Sequence, residues 1–439
     1  MNLFWKKLTG KIKSTSKFEK DQSTLMEKFV RYSKIEKSKE LAEYKMLFDI
    51  VQSAEFKEKK NTLLYRKYKD TSYYRNMKKF EKLQSNKKLQ FYFEHLNDEL
   101  LNDFLAFKNT AEYELLGKKK EVKKSEKLQV YKRFEKSKVY KNYVRFNNTY
   151  IVDDFLKIKE EVSTDEFKKE NEFWANKNRW QTTPEYETEQ RYLTLAANPD
   201  IVFYESIDAT IFDEIRNLQL VFADGFDGNT ILDENWEYGF RYPSYKLMAN
   251  HSFVNEQQAN NGGRNVNATD GCLAIFTKRE TVKASAWDTS KGFVEKEFNY
   301  TSDVLHSKTF KQKGGVFSAK IRCTGKLHHA FWLSGDGRKE HINVFHFNGK
   351  NITMGNATNE GFFDQIKLSG LNAAAYHVYT LEWTDKELVW YVNNYEVYRT
   401  QNSVPQDELF MTFNSFITEN QKPSTGVLEV DWLKVFVRK

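Results

Sequence analysis

At 439 residues the chain is long enough for two or three domains and a substantial buried core, and 15% aromatic residues exclude a disordered chain despite 30% charge. Its charge is uneven: residues 1–150 carry 37 Lys+Arg against 20 Asp+Glu, whereas residues 201–439 carry 25 against 29, so the two halves are different objects. Two cysteines, Cys272 and Cys323, exclude a disulfide framework, and each sits in an expected strand as a small buried residue.

Residues 1–22 read as a basic N-terminal arm. Its apolar run, Leu3-Phe4-Trp5, is far shorter than the ~7–15 residues of a signal peptide, and no stretch is apolar enough for a transmembrane helix. Cytoplasmic synthesis is therefore expected, with extracellular glycans reached by a non-classical route such as a virion released by lysis. On that expectation the sequons at Asn267, Asn299, Asn351 and Asn356 carry little weight. Leu3, Phe4, Trp5, Leu8 and Ile12, set among five lysines, suit either a helix packed on its own domain or a peg for a partner or membrane surface.

Residues 23–205 alternate apolar and charged residues at helical spacing, with Pro184 and Pro199 as interruptions. A spaced pattern recurs in Tyr32-Ser38-Leu41-Tyr44, Tyr131-Ser137-Tyr140-Tyr143 and Tyr192-Asn198-Ile201-Tyr204, with looser versions at Leu47-Ser53-Phe56, Phe104-Thr110-Tyr113 and Ile158-Thr164-Phe167. Each predicts a helix that ends before a Ser, Thr or Asn whose side chain caps the next helix. The expectation is an all-α array of short helices in tandem, stacked because short helices are marginal alone. The lysines interleave with glutamates, as in KIEKSKELAEYK. That is the composition of a solvated face, so a protein partner or self-assembly is expected of this half rather than nucleic acid.

Residues 206–217 read as a linker, and residues 218–439 as short alternating strands, which predict an antiparallel β-sandwich of the jelly-roll kind. The chain as a whole is thus expected to be multidomain α + β. Within the sandwich, HHAFWLSGDGRKEHINVFHF, residues 328–347, reads as a hairpin. Ile342 and Val344 point to one face of its second strand, His341 and Asn343 to the other. A bulge near Val344-Phe345 would return His346 to the face of His341 and Asn343.

These segments resemble glycoside hydrolase family 16, the laminarinase-like endo-β-glucanases. HHAFWL and HINVFH look like the family's WPAFWL and EIDIxE strands. LVFADGFDGNTILDENW, NVNATDGCLAIFTKRE, YTSDVLHSKTFKQKGGVFSAKIR, YHVYTLEWTDKELVWYVNNYEVYRT and LEVDWLKVFV resemble its other ordered segments. The resemblance implies two curved sheets with a glycan-sized groove on the concave side. In the family the first Glu of the motif is the nucleophile, the Asp its helper and the second Glu the acid/base, whereas here His341, Asn343 and His346 stand at those positions. Retaining hydrolysis needs two carboxyl groups about 5–5.5 Å apart.

The resemblance therefore implies a non-catalytic module that binds a β-glucan-like or other polysaccharide, or is structural. Expected glycan contacts are His341, Asn343, His346 and His328, with Trp287, Trp236 and Tyr242 as stacking platforms. Trp332, Trp383, Trp390 and Trp432 lie inside strands and are expected in the core. Two alternatives stand beside this: an active endo-β-glycanase using displaced acids such as Glu340 or Asp336, and a structural assembly protein, for example of a virion, without glycan binding. No cofactor is required. His341 and His346 with His328 or His329 form one candidate Zn²⁺ set. Asp431 matches the Asp of the family's structural Ca²⁺ site, although Gly225 stands where the opening strand usually has an acid.

Overall fold

A computed structural model describes residues 1–228, 234–241, 250–335, 340–358 and 360–439. The chain divides into two compact units, Lys34–Ser206 and a second made of Met1–Ser33 with Ile207–Lys439.

The first unit is helical, and its helices begin where the sequence places hydroxyl and amide side chains. Ser38, Ser53 and Ser137 accept the amides of Leu41, Phe56 and Tyr140 at 3.1 Å, and Thr164 that of Phe167 at 3.2 Å. The same device recurs at Thr71, Asn86, Ser125 and Thr183. Each bond satisfies an amide that the first helical turn leaves without a partner. In six of these eight cases the residue three places on is buried, namely Leu41, Phe56, Leu89, Leu128, Tyr140 and Phe167. Cap and core residue are thus one local unit. Thr110 departs from the expectation: its hydroxyl donates back to the Phe107 carbonyl at 2.7 Å and caps nothing, and a 3₁₀ segment, Ala111–Gly117, comes after it.

The helices are not stacked as a simple tandem. Lys39–Gln52 packs on Pro184–Ala196, Ser72–Gln84 on Tyr150–Ser163, and Lys87–Glu94 on Lys138–Phe146, so the chain runs out and returns along itself. Ion pairs cross between the two runs, from Lys59 to Glu185, Lys60 to Glu189, Lys79 to Asp154 and Glu43 to Arg191. The outgoing run holds the lysine surplus, and residues 151–200 hold 12 acids against 7 basic residues. Part of that surplus therefore faces the chain's own acids. The apolar interior is divided into separate clusters, the largest around Leu101, Phe104, Phe107, Leu128, Phe134 and Tyr140.

The second unit is built on two antiparallel-rich sheets. One runs Tyr395–Thr400, Leu388–Val392, His377–Trp383, Gly315–Thr324, Gly426–Arg438, Cys272–Asp288, Gly292–Ser302 and Gln258–Asn260. The other runs Phe363–Leu368, Ile352–Ala357, His341–Asn348, His328–Ser334, Leu409–Phe416, Val304–Gln312 and Trp236–Tyr238. Alternation along each strand sends one set of side chains into the layer between the sheets. Phe317, Phe331, Phe345, Met354, Trp390 and Phe413 meet there with no exposed surface. Cys323 is buried among them, and neither it nor half-buried Cys272 forms a disulfide.

Two boundary expectations are corrected. The first residues are not an arm, because Leu3 and Ile12 are buried in the sandwich core, and the Leu3 amide donates to the Ser369 carbonyl at 2.8 Å. Residues 206–217 are not an open linker, because they form the 3₁₀ turn Ala209–Phe212 and the helix Asp213–Asn217. Phe212 is fully buried against Phe29 and Tyr32 of the helix Thr15–Glu36.

Candidate functional site

The hairpin of His328–Ser334 and His341–Asn348 forms as the alternation requires, with the extra residue where the spacing needs it. Phe331 faces Phe345 and Trp332 faces Asn343, so Val344 is left over, and pairing with the next strand resumes only at His346 opposite Thr353. Val344 and Phe345 are both buried. The bulge is held from the core side by Trp390, whose Nε1 donates to the Asn343 carbonyl at 2.9 Å. One extra residue reverses the facing of every side chain beyond it, which brings His346 onto the same face as His341 and Asn343.

That face floors a groove of about 440 Å³. His341, Asn343 and His346 line it, joined by Trp332, Gln365 and Asn414; Phe240, Phe253, Phe363 and Phe416 supply its apolar walls. The floor groups are hydrogen-bonded to one another. His341 Nε2 lies 2.8 Å from Asn343 Oδ1, which can only accept, so this nitrogen carries the proton. His328 Nδ1 and His346 Nε2 are 2.8 Å apart, and His346 Nδ1 lies 3.2 Å from the Thr353 hydroxyl, itself 3.4 Å from the His346 carbonyl. One proton arrangement satisfies the whole chain of contacts. His328 donates to His346, His346 to Thr353, and Thr353 to the backbone. Burial pushes His328 down to about 4 and His346 down to about 3, so both imidazoles are neutral at pH 7.

Aromatic surfaces complete the site. Trp332 stacks on His341 with centroids 4.6 Å apart and planes 10° from parallel, and its Nε1 donates to Asn414 Oδ1 at 3.0 Å. Phe363 meets the edge of His341 at 5.2 Å, and His328 lies against Phe416 at 4.5 Å. Glu256 is the one carboxylate among the described lining residues, with Oε2 accepting from Gln258 Nε2 at 2.7 Å.

The structure brings together His341, Asn343, His346 and, through its bond to His346, His328. It separates other expected contacts. Trp236 is only 2% exposed, packed on Phe222 and Phe413 with Nε1 donating to Asp224, so it belongs to the core and offers no platform. Trp287 pairs with Phe253 and Phe293, and of these three only Phe253 lines the groove. Tyr242 and Asp336 lie outside the described residues. His329 points into the core, bonded to the Ser415 hydroxyl and the Thr324 carbonyl, because adjacent strand residues face opposite ways. It cannot join His341 and His346 around a metal, and no cluster of three His, Cys, Asp or Glu suited to a metal occurs among the described residues. Glu340 does not line the groove, and its Oε1 is 3.4 Å from the Gln406 amide. Asp431 faces the Lys320 ammonium at 2.9 Å, with Glu19 at the same distance, so a side-chain cation already stands beside this carboxylate.

Trp332 is buried as expected, in a cluster with Phe240, Val304 and Ala330, and sequence reasoning missed only that it also lines the groove. Its parity with His328 and Ala330 carries the signal, since positions 328, 330 and 332 share one face and 329, 331 and 333 the other. Glu256, Phe363, Gln365 and Asn414 gave no local signal, because strand order alone brings them to this hairpin.

Residues 255–434 match the model of glycosyl hydrolases family 16. This stretch lies wholly within the sandwich unit and contains the hairpin and its bulge. A xylanase/beta-glucanase of Ruminococcus flavefaciens is 25% identical over 179 residues, which are 39% of this chain and 21% of that protein. The chain thus spans about a fifth of the length of this relative. Among solved structures, LamAcat from Zobellia galactanivorans is 19% identical with a TM-score of 0.41, covering 52% of this chain and all of its own. The laminarinase catalytic domain from Thermotoga maritima is 18% identical with a TM-score of 0.40, covering 51% of this chain and 99% of its own. A kappa-carrageenase from Pseudoalteromonas carrageenovora is 17% identical with a TM-score of 0.40, over 51% and 96%.

Proposed function

We propose that the family-16-like sandwich is a glycan-binding module that holds a polysaccharide in this groove without cleaving it, and that the helical unit serves attachment or assembly. The observation that carries the reading is the floor itself. Where the family resemblance puts a carboxylate nucleophile and a carboxylic acid, the groove presents two imidazoles and an amide, tied into a hydrogen-bond network. Proton transfer is most effective from groups that titrate near the working pH, and His328 and His346 titrate well below it. Two-step displacement also needs a nucleophile to form the glycosyl intermediate, and amide and imidazole groups paired with each other are poor candidates. The same groups suit recognition. Amide and imidazole edges bond sugar hydroxyls, and the rings of Trp332, Phe363 and Phe416 offer apolar faces.

The test uses the full chain. Affinity electrophoresis in laminarin, lichenan and agarose should show retardation by at least one polymer, and His341→Ala with Trp332→Ala should abolish it. A reducing-sugar assay on the same polymers should stay at the buffer blank. Sustained hydrolysis by repurified protein would sink the non-catalytic reading, and its loss in Glu256→Gln would then assign the work to the one carboxylate identified in the groove.

A further inference from the structure

We propose that the first turn of the chain is an interfacial anchor for an anionic lipid bilayer. Leu3 and Ile12 are buried in the sandwich core and pin the segment at both ends. The turn between them sits directly on the backbone at Gly370, where an added Cβ would come within 2.6 Å of the Phe4 amide. Between the pins runs the short helix Phe4–Leu8, whose 3.6-residue turn puts Phe4, Trp5 and Leu8 on one arc, away from Leu3.

This arc faces solvent. Phe4 is 53% exposed, Trp5 64% and Leu8 67%, whereas Lys6 on the opposite side is half-buried. A helix laid down only to pack turns its apolar arc inward and its lysines out. Here the amphipathicity is inverted, and the segment's fixed ends hold it that way.

The chemistry of the patch selects its partner. Trp, Phe and Leu are the side chains that enter the boundary between headgroups and acyl chains, and lysine stems reach back to the headgroups. Residues 1–18 contain five lysines and no acid, so the surround is cationic and its complement is anionic. Of these lysines, Lys13 is engaged by Asp21 at 2.6 Å. A bilayer displaying acidic headgroups satisfies both the apolar arc and the charge. An anchor this small implies weak, reversible and salt-sensitive attachment.

The experiment is co-sedimentation of the full chain with vesicles of phosphatidylcholine, alone or with about a third phosphatidylserine. Partition onto the mixed vesicles is expected, lowered by salt and reduced about tenfold or more in Phe4→Ser/Trp5→Ser/Leu8→Ser. Lys7→Gln and Lys11→Gln should each weaken it about fivefold. The triple variant should melt as the parent does because it removes exposed groups; should it not, Trp5→Ser alone carries the comparison. Absence of partition onto the anionic vesicles overturns the proposal, as does partition undiminished by the serine variants. If the parent instead self-associates in a way the triple variant abolishes, while ignoring vesicles, the patch is a contact between copies and the proposal fails.

Discussion

The helical unit and the sandwich solve the same problem on different length scales. In Lys34–Ser206 most helices carry their own start signal, usually with a buried residue three positions on, and the apolar interior is divided among clusters of a few side chains. In the sandwich one large core draws on most strands of both sheets, with two smaller clusters beside it, and that core fixes the register of the hairpin that floors the groove. A local code tolerates local damage. A code written in register transmits damage to the site.

The largest expected effect separates the two. Trp390 is fully buried, and its indole N–H holds the bulge through the Asn343 carbonyl. Trp390→Ala should cost about 3–5 kcal/mol through the cavity it leaves, and should also abolish glycan retardation. Phe104→Ala, at the centre of the largest helical cluster, should cost a similar amount but leave retardation intact. Scanning calorimetry should resolve two transitions, each lowered by one variant. A single shared transition, lowered equally by both, would show that the units do not unfold separately.

Acid should act more gently and still selectively. Of eight histidines, only His95 lies in the helical unit. In the sandwich, burial holds His328, His329 and His377 at about 4 and His346 at about 3, against about 6.5 in an unfolded chain. Between those values the unfolded chain binds more protons than the folded one, so stability falls as pH drops below about 6.5 and continues to fall to about 4. Asp303, whose carboxyl is pushed up by burial, works in the opposite sense, but burial pushes His306 down as well, so Asp303 is one group against five. The sandwich transition should therefore drop between pH 7 and pH 4.5 more steeply than the helical one. Parallel decline of both would point to general acid unfolding. Loss of the effect in His328→Phe/His346→Phe would place a measurable part of it in the groove.

The same contrast explains what could be read from sequence. Caps at Ser38, Ser53, Ser137 and Thr164 were legible because a cap and its target lie three residues apart. The return of the helical chain on itself was not, since Lys39–Gln52 meets Pro184–Ala196 across more than a hundred residues. In the sandwich the strands, the bulge and the floor trio were legible from alternation and motif spacing. Trp332 is buried as expected but also lines the groove, whereas Trp236, expected as a platform, lies in the core. Facing on a strand depends on parity within a sheet, and parity can be read only where a neighbouring residue has already been assigned. The N-terminal residues were half legible. Their apolar content marked a packed or peg-like segment, but only the docking of Leu3 beside Ser369 decides which side chains turn in.

The smallest predicted effect tests the local code itself. Ser38→Ala and Ser137→Ala each remove an acceptor for an amide in the first helical turn and should cost about 1 kcal/mol, read as a drop in the helical transition. Thr110→Ala supplies the internal contrast. Its hydroxyl serves only the Phe107 carbonyl, and no helix amide depends on it, so the loss should be clearly smaller. The three sites share the sequence pattern and differ in whether a bond to the next turn is made. If all three cost the same, the pattern stabilises by something other than capping, and the repeat records buried apolar spacing alone. If Ser38 and Ser137 stand apart from Thr110, the helical unit is stabilised one turn at a time, and its tolerance to change should extend to every helix that begins on such a cap.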